Sequence, residues 1–228
     1  MGIIAMNKEI YLIRGADKES YQDFNSRIFN MVKLLVKELS TETVKITITS
    51  VAPPRITIIP FRQSKIAAIS IHKSNPEPIE EFRKAKGFYG AYQVTEALPV
   101  AYQKSWKDGD PTPGACLLTV FSKKKSIDYQ TFIDRWHNGH TPLSLRIHPL
   151  WNYVRNVVNE SILEDSAWFD GIVEEQVQNA HDLLNPFRFF GNPLIIIPRM
   201  LMVYSDTKSF IDYPGMETYL AEEYHIRS

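Results

Sequence analysis

The chain has 228 residues, of which 44% are hydrophobic and 12% aromatic, which is enough for one sizeable core or two small ones. Twenty-six basic residues balance 26 acidic ones, so we expect no attraction to nucleic acid or to an anionic membrane. No stretch approaches the ~18 apolar residues of a membrane span, and the first residues lack a basic leader. The sequence therefore predicts a soluble, cytoplasmic protein.

The single cysteine, Cys116, rules out an internal disulfide and fits a reducing compartment. It lies in the apolar run "ACLLTVF", which is typical of a buried strand. We therefore interpret Cys116 as a buried strand residue rather than a nucleophile.

The first half of the chain alternates strand and helix patterns in a fixed order. An apolar strand is followed by a helix with apolar residues at three- and four-residue spacing, and then by strands of period two. The predicted strands cover residues 9–15, 43–52, 64–74 and 91–106, and the predicted helices begin at residue 20 and cover 76–87.

The second half repeats this order at an offset of 108 residues. "SYQDFNSRIF" at 20–29 and "DYQTFIDRWH" at 128–137 share Tyr, Gln, Phe and Arg in register. Further strands are predicted at 117–123, 151–160, 168–177 and 216–226, with a helical segment around 180–187. The polar, Pro- and Gly-rich segment 106–115 reads as the linker between the halves.

Strand, helix, strand, strand, helix, strand is the order of a ferredoxin-like unit, in which helices cover only one face of the sheet. The bare face needs a partner, and a second unit on the same chain supplies one. We therefore predict an α+β fold of two tandem ferredoxin-like repeats, residues 1–108 and 114–228, packed sheet to sheet as an internal dimeric α+β barrel. Two apolar, proline-bounded insertions, 52–63 and 185–200, interrupt the repeat, and we expect them to cap the barrel ends, to form a lid, or to form an oligomer contact.

The stretch "FIDRWHNGHTPL" places an imidazole on an apolar helix face. Tyr129, Phe132, Ile133 and Trp136 form one helical stripe, and His140 falls near its centre. His137 falls on the flank, where we expect it to be half exposed.

The first half contains Val32 at the position of His140 and therefore serves as an internal reference. A buried polar side chain must find a partner. His140 is either a core histidine bonded to a carbonyl or an acid/base residue that lines a pocket between helix and sheet. A metal site is disfavoured because His137 and His140 point in different directions and no third ligand is marked, although Glu174 and Glu175 could supply carboxylates.

The second half resembles the EthD family of the dimeric α+β-barrel superfamily. The resemblance rests on the pattern F-x3-W-x3-H-x-P-L, supported by "WNYVRNVV" at 151–158, "FDGIVEE" at 169–175, and "SFID" followed by a closing strand. The pattern residues are Phe132, Trp136, His140, Pro142 and Leu143. The resemblance implies the same barrel fold and an apolar pocket that often works without a cofactor. Its members are linked to an ether-degrading oxidation system, and fungal relatives act as dehydratases or decarboxylases on aromatic polyketides. The first half lacks the histidine and the tryptophan, so we expect one site, in the second half.

These observations predict a cofactor-independent lyase or isomerase of the dehydratase, decarboxylase or cyclase type. The substrate would be a hydrophobic aromatic or polyketide-like molecule, with His140 as general acid/base and Tyr153 holding a carbonyl or enolate oxygen. Strand alternation places Tyr153 and Asn156 on opposite faces, and we prefer Tyr153 for this role. The remaining expected substrate-binding residues are Trp136, His137, Asn156 and Glu174.

Three alternatives stay open at this point. The protein could be a non-catalytic small-molecule binder or an accessory protein of an oxidoreductase system. It could bind heme or a metal through His140, or have no site at all. We expect no cofactor and no metal, and the chain could pair further into a homodimer.

Overall fold

A computed structural model of the protein describes residues 7–38, 43–73 and 79–228. Within these residues, eight antiparallel strands form a closed barrel in the order β1-β3-β2-β8-β5-β7-β6-β4. The strands are β1 (Asn7–Arg14), β2 (Thr43–Ile48), β3 (Ile66–Lys73), β4 (Phe88–Val100), β5 (Ala115–Phe121), β6 (Leu150–Ser161), β7 (Gly171–Val177) and β8 (Glu217–Arg227).

Along the chain, the helices lie between the strands. They are α1 (Tyr21–Glu38), α2 (Glu80–Arg83), α3 (Tyr129–Asp134), a π-helical segment (Arg135–His140), α4 (Thr141–Ile147), α5 (Ala180–Leu184), α6 (Pro186–Phe189), α7 (Ile196–Lys208) and a short 3-10 turn (Tyr213–Gly215). In the described part of the chain, none of these helices has the length and apolar character needed to cross a membrane.

Each half of the chain contributes four neighbouring strands, and two antiparallel pairs join the halves. Ile46 of β2 lies opposite Tyr224 of β8, and Glu96 of β4 lies opposite Asn156 of β6. The predicted α+β fold class with a closed barrel is therefore confirmed, because each half finds its missing sheet partner in the other. The proposed boundaries 1–108 and 114–228 stay a prediction.

The barrel interior is divided along its axis into an apolar half and a charged half. Every second residue of each strand points inward. Cys116 is fully buried in the apolar half, which agrees with its interpretation as a strand residue. In the charged half, Lys45 forms ion pairs of 2.9 Å with both Glu174 and Glu223. The other apolar residues include Ile10, Leu12, Ala68, Tyr92, Leu118, Ile172 and Tyr219.

The two long helical regions cover equivalent outer faces of the sheet but differ in regularity. α1 is an uninterrupted α-helix that buries Ile28 and Val32 completely. In the second half, α3, the π-helical segment and α4 form one continuous helical run that buries Phe132 and Trp136. Tyr129, expected in the buried stripe, is half exposed because it lies in the first turn.

Pro142 explains the π-helical segment. Proline has no backbone N–H and its ring crowds the carbonyl four residues earlier, here Asn138, so a regular α-turn cannot form. The turn widens instead, and the N–H of Thr141 donates to the carbonyl of Trp136, five residues earlier. The helical run continues through Pro142 to Ile147.

Two of the predicted elements of the first half differ in extent from the structure. The helix expected over 76–87 is limited to α2, and residues 76–78 lie outside the described residues. The last strand of the first half ends at Val100 instead of residue 106. Gly87 has a φ of 85°, and a Cβ there would lie 2.0 Å from the Arg14 carbonyl oxygen, so glycine is required at the turn into β4.

Candidate functional site

A cavity of about 480 Å³ lies between the outer sheet face of the second half and the helices that cover it. Its floor comes from β5, β7, β6 and β8, and one wall from the helical run 129–147. Most of the lining is apolar, with aromatic side chains well represented: Leu117, Phe121, Trp136, Val173, Phe189, Phe190, Met200, Val203, Phe210 and Met216. The arrangement suits a flat, apolar molecule.

Both proline-bounded insertions contact this cavity. Ile58, Ile59 and Pro60 of the first insertion lie at its edge, and Phe61 is anchored by an isolated bridge to Thr218. The second insertion forms α6 and the beginning of α7, and α7 makes the wall opposite the π-helical segment. In the first half, α1 covers the outer face of the sheet directly. In the second half, the two insertions enclose the equivalent face, and the cavity lies between them and the sheet.

His140 is held at the cavity by a carboxylate from α7. Its Nδ1 lies 2.7 Å from Oδ2 of Asp206, and both side chains are largely buried. A carboxylate only accepts hydrogen bonds, so Nδ1 of the imidazole donates to it. Nε2 forms no hydrogen bond to any residue that the structure describes, and it is the nitrogen left for a ligand. This is the arrangement in which an acidic residue orients a histidine base.

Glu175 places a second ionisable group on the floor of the cavity. Its Oε1 accepts a 2.9 Å hydrogen bond from the hydroxyl of Ser144, which lies on α4. Burial raises the pKa of Glu175 above its ordinary value, although the charge of His140 and the Ser144 hydroxyl oppose this shift. A carboxyl group with a raised pKa keeps its proton to higher pH than a free one and can act as a general acid.

Tyr153 lies on β6 beside these groups and lines the cavity with only 1% of its surface exposed. Burial, followed by the negative charge of Glu175, raises the pKa of Tyr153 well above its ordinary value. The phenol therefore stays neutral and can donate a hydrogen bond. The neighbouring Arg155 donates to the Thr141 hydroxyl at 2.8 Å and so fixes the helical run against β6.

His148 is the second histidine of the cavity lining. Its ring is stacked on Phe189 with centroids 4.0 Å apart, and its Nδ1 lies 3.1 Å from the Phe189 carbonyl oxygen. Burial lowers the pKa of His148 to about 4. It is therefore neutral at physiological pH and fixes α6 to the end of α4.

The residues named from the sequence fall into two groups. Trp136, His140 and Tyr153 line the cavity. Asn156 and Glu174 do not line it, because both point into the barrel: Asn156 donates to the Ile172 carbonyl and Glu174 pairs with Lys45. Strand alternation is the cause, since Tyr153 and Glu175 occupy the outward positions.

His137 lies beside the cavity but does not line it. It is half-buried, as expected, with its ring centroid 5.3 Å from that of Trp136. Burial and the positive charge of Arg155 lower the pKa of His137 to about 4. Among the described residues, no group of three or more His, Cys, Asp or Glu side chains has an arrangement that could hold a metal ion.

Sequence reasoning named Glu175 only as a possible metal ligand, and it missed Asp206 and Ser144 as site residues. Asp206 follows the second insertion, 66 positions after His140, and carries no local motif. Glu174 and Glu175 differ in which face of β7 they occupy, the inner face or the outer one. Every residue of β7 is buried, so the sequence has no apolar–polar alternation that would show which glutamate faces outward.

Comparisons with known proteins support the fold. No family model matches the chain, and no curated protein matches it. The chain is similar to the solved structure of an anthrone oxidase-like protein, with a TM-score of 0.58, 9% identity, and coverage of 98% of this chain and 94% of the other. It is also similar to a protein from Fusobacterium nucleatum subsp. nucleatum described as a candidate monooxygenase, with a TM-score of 0.55, 12% identity, and coverage of 97% and 93%. The described part of the chain thus shares with these proteins an α+β fold built on a closed antiparallel barrel.

Proposed function

We propose that the protein is a cofactor-independent lyase or isomerase that moves protons on an apolar aromatic molecule. The observation that carries the proposal is the convergence of two acid/base groups on one apolar cavity. His140 is oriented by Asp206, whereas Glu175 is a buried carboxyl group whose pKa is raised. A base and an acid that face the same cavity can move protons on one bound molecule.

Nε2 of His140 is the proposed base. It takes a proton from an acidic C–H of the substrate, and the developing imidazolium is stabilised by Asp206. Glu175 gives its proton to the substrate oxygen, either a carbonyl that becomes an enol or a hydroxyl that leaves as water. In the enol case, return of the two protons restores the enzyme. When water leaves, His140 gives its proton to solvent and Glu175 takes one up from solvent. No electrons are exchanged in either case. Tyr153 donates a hydrogen bond to the same oxygen or to a second one.

The cavity supports an aromatic substrate of two or three fused rings. Its volume of about 480 Å³ and its aromatic lining match flat apolar ligands. The resemblance to the EthD family and the likeness to an anthrone oxidase-like protein favour the same class. We accordingly propose that the chain is an EthD-like protein whose two halves are tandem repeats and whose site lies in the second half.

Hydrogen–deuterium exchange into anthrone tests the proposal. Purified protein is incubated with anthrone in D₂O, and exchange of its methylene protons is followed by NMR above the buffer rate. We expect the wild type to accelerate exchange, His140→Ala to abolish the acceleration, and both to bind anthrone, as measured by quenching of tryptophan fluorescence. Binding by both proteins with no acceleration by either would leave only the binding role.

That binding role is the second candidate: an accessory protein that binds an apolar compound for an oxidoreductase system. It is favoured by the candidate monooxygenase among the similar structures. For an accessory protein, His140→Ala should change the affinity for the compound, and neither the wild type nor the variant should show catalysis.

We also propose a cytoplasmic location, which the single reduced cysteine Cys116 supports. We further propose a homodimer that forms through exposed apolar side chains of α7 such as Leu201. Light scattering tests the homodimer directly.

A further inference from the structure

Exposed apolar side chains are concentrated in the two insertions, 52–63 and 185–200, and in α7. More than half of the large hydrophobic residues that the described chain exposes lie in these segments, although the segments are a small part of it. They include Ile56, Ile58, Leu194, Ile197, Leu201 and Tyr204. Ile56 is 95% exposed and Leu194 is 88% exposed. Single exposed apolar side chains are common, whereas a cluster of them indicates an interaction surface.

The exposed apolar surface is continuous with the lining of the cavity that holds His140. Ile59 of the first insertion packs against the apolar cluster that contains Phe190 of the second insertion, so the two insertions are neighbours. Ile58 and Leu201 line the cavity and are also exposed to solvent. A ligand that enters the cavity beside these residues therefore passes the exposed apolar side chains.

α7 presents an apolar face that ends in a basic residue. Ile197, Leu201 and Tyr204 follow one another at spacings of four and three residues, so they lie on one face of the helix. Lys208 continues this face, and its ammonium group donates to the Tyr204 hydroxyl at 3.1 Å. This pattern is typical of helices at a membrane interface, because a lysine can place its stem in lipid and its charge in water.

Basic residues accompany the apolar side chains. The two insertions together contain no aspartate or glutamate and four arginines: Arg55, Arg62, Arg188 and Arg199. Among the residues that the structure describes, only Arg188 pairs with a carboxylate, that of Asp182. α7 adds Lys208 and one acidic residue, Asp206, which binds His140. The zero net charge of the whole chain therefore does not hold at this surface, where positive charge is in excess.

We propose that the two insertions and α7 form a docking surface for an anionic lipid bilayer. Ile56, Leu194 and Ile197 enter the boundary between headgroups and acyl chains, and the arginines bind the anionic headgroups. The cavity then opens toward lipid, and an apolar ligand passes from the bilayer to His140 without crossing water. This passage rests on the proposed function, whereas docking itself does not.

A second copy of the chain competes with the bilayer for this surface. The homodimer proposed above would cover the aliphatic side chains, but it would leave the arginines without anionic partners. An anionic bilayer provides both acyl chains and negative charge, so it should displace the second copy.

Co-sedimentation with vesicles tests the docking surface. The vesicles contain phosphatidylcholine and phosphatidylserine in equal parts, or phosphatidylcholine alone. We expect the wild type to sediment with the mixed vesicles, to bind phosphatidylcholine vesicles more weakly, and to be released by high salt. Arg55→Gln should weaken binding to the mixed vesicles about fivefold. Lys33→Gln, an exposed basic residue of α1, is the control and should bind like wild type.

The aliphatic contribution is tested with the double variant Ile56→Ser, Leu194→Ser. It should weaken binding to both kinds of vesicle, by about 100-fold for the mixed ones, because two large apolar side chains no longer enter the lipid. Leu34→Ser removes an exposed leucine of α1 and should leave binding unchanged.

Ile56 and Leu194 are exposed and do not line the cavity, so the double variant should fold and should exchange dissolved anthrone at the wild-type rate. Sedimentation without any exchange activity would contradict the proposed function and support docking alone. Docking would be overturned if the wild type stayed in solution with the mixed vesicles, whether as a monomer or as a homodimer. It would also be overturned if Leu34→Ser weakened binding as much as the double variant.

Discussion

Nδ1 of His140 lies 2.7 Å from Oδ2 of Asp206, and the two residues are 66 positions apart in the chain. The histidine comes from the π-helical segment and the aspartate from the last turns of α7. The corresponding residue of the first half is Val32, which is fully buried and needs no partner. α7 therefore both encloses the cavity and supplies the group that orients its imidazole.

Asp206→Asn should lower the exchange rate with anthrone by about 100-fold, because the amide no longer stabilises the imidazolium that forms. Since Asp206 is a positioning residue, the loss should fall on kcat more than on KM, and Asp206→Glu should recover part of it. Asp134→Asn is the control. Asp134 is an exposed carboxylate on the helical run that carries His140, and its substitution should leave the rate unchanged.

The adjacent glutamates should respond oppositely to the same substitution. The pKa of Glu175 is raised in the folded state, so its ionisation destabilises the fold increasingly as pH rises above the unfolded value near 4.5. Glu175→Gln keeps the Ser144 hydrogen bond and should raise the unfolding free energy at pH 8. Glu174→Gln leaves Lys45 with one ion pair fewer inside the barrel and should lower it by about 3 kcal/mol.

Urea unfolding of both variants at pH 4.5 and pH 8 measures this difference. The gain from Glu175→Gln should be larger at pH 8, because the cost of ionising the buried carboxyl grows as pH rises above 4.5. Similar losses in the two variants would contradict the assignment of Glu175 to an apolar cavity and Glu174 to an ion-pair cluster.

His148 should make stability pH-dependent between pH 6.5 and pH 4. Its folded pKa is about 4, below the ordinary value of 6.5, so in this window the unfolded state binds the extra proton. Stability contributed by His148 is complete above pH 6.5 and is lost as pH falls, by on the order of 3 kcal/mol at pH 4. His148→Gln should flatten the curve of unfolding free energy against pH, whereas the exposed His181→Gln should not.

Two glycines offer a steric test of the helix–sheet contact. A Cβ on Gly171 would lie 2.6 Å from Phe121 and 2.7 Å from Trp136, so Gly171→Ala should destabilise the protein by about 1–3 kcal/mol. A Cβ on Gly139, in the π-helical segment, meets only Asp206 at 3.7 Å. Gly139→Ala should be neutral or stabilising by up to about 1 kcal/mol, because alanine favours a helix. Thermal unfolding monitored by circular dichroism measures both.

Sequence patterns were sufficient to predict the barrel and which face of one helix is buried. The repeated order of strand, helix and strand predicts a sheet with one bare face, and burial of that face requires the closed barrel that the structure shows. The helical stripe predicted that Trp136 is buried and that His140 lies on the same side. Alternation along β6 separated Tyr153 from Asn156 because outward and inward positions must differ.

The sequence by itself determined the class of fold and which helix carries the imidazole, because periodicity within one element reports which face is buried. Only the tertiary structure decided what surrounds that imidazole. Asp206 reaches it through the path of an insertion, which no period encodes. Glu175 rather than Glu174 faces the cavity, and β7 is buried on both faces, so the hydrophobic alternation that would have distinguished them is absent.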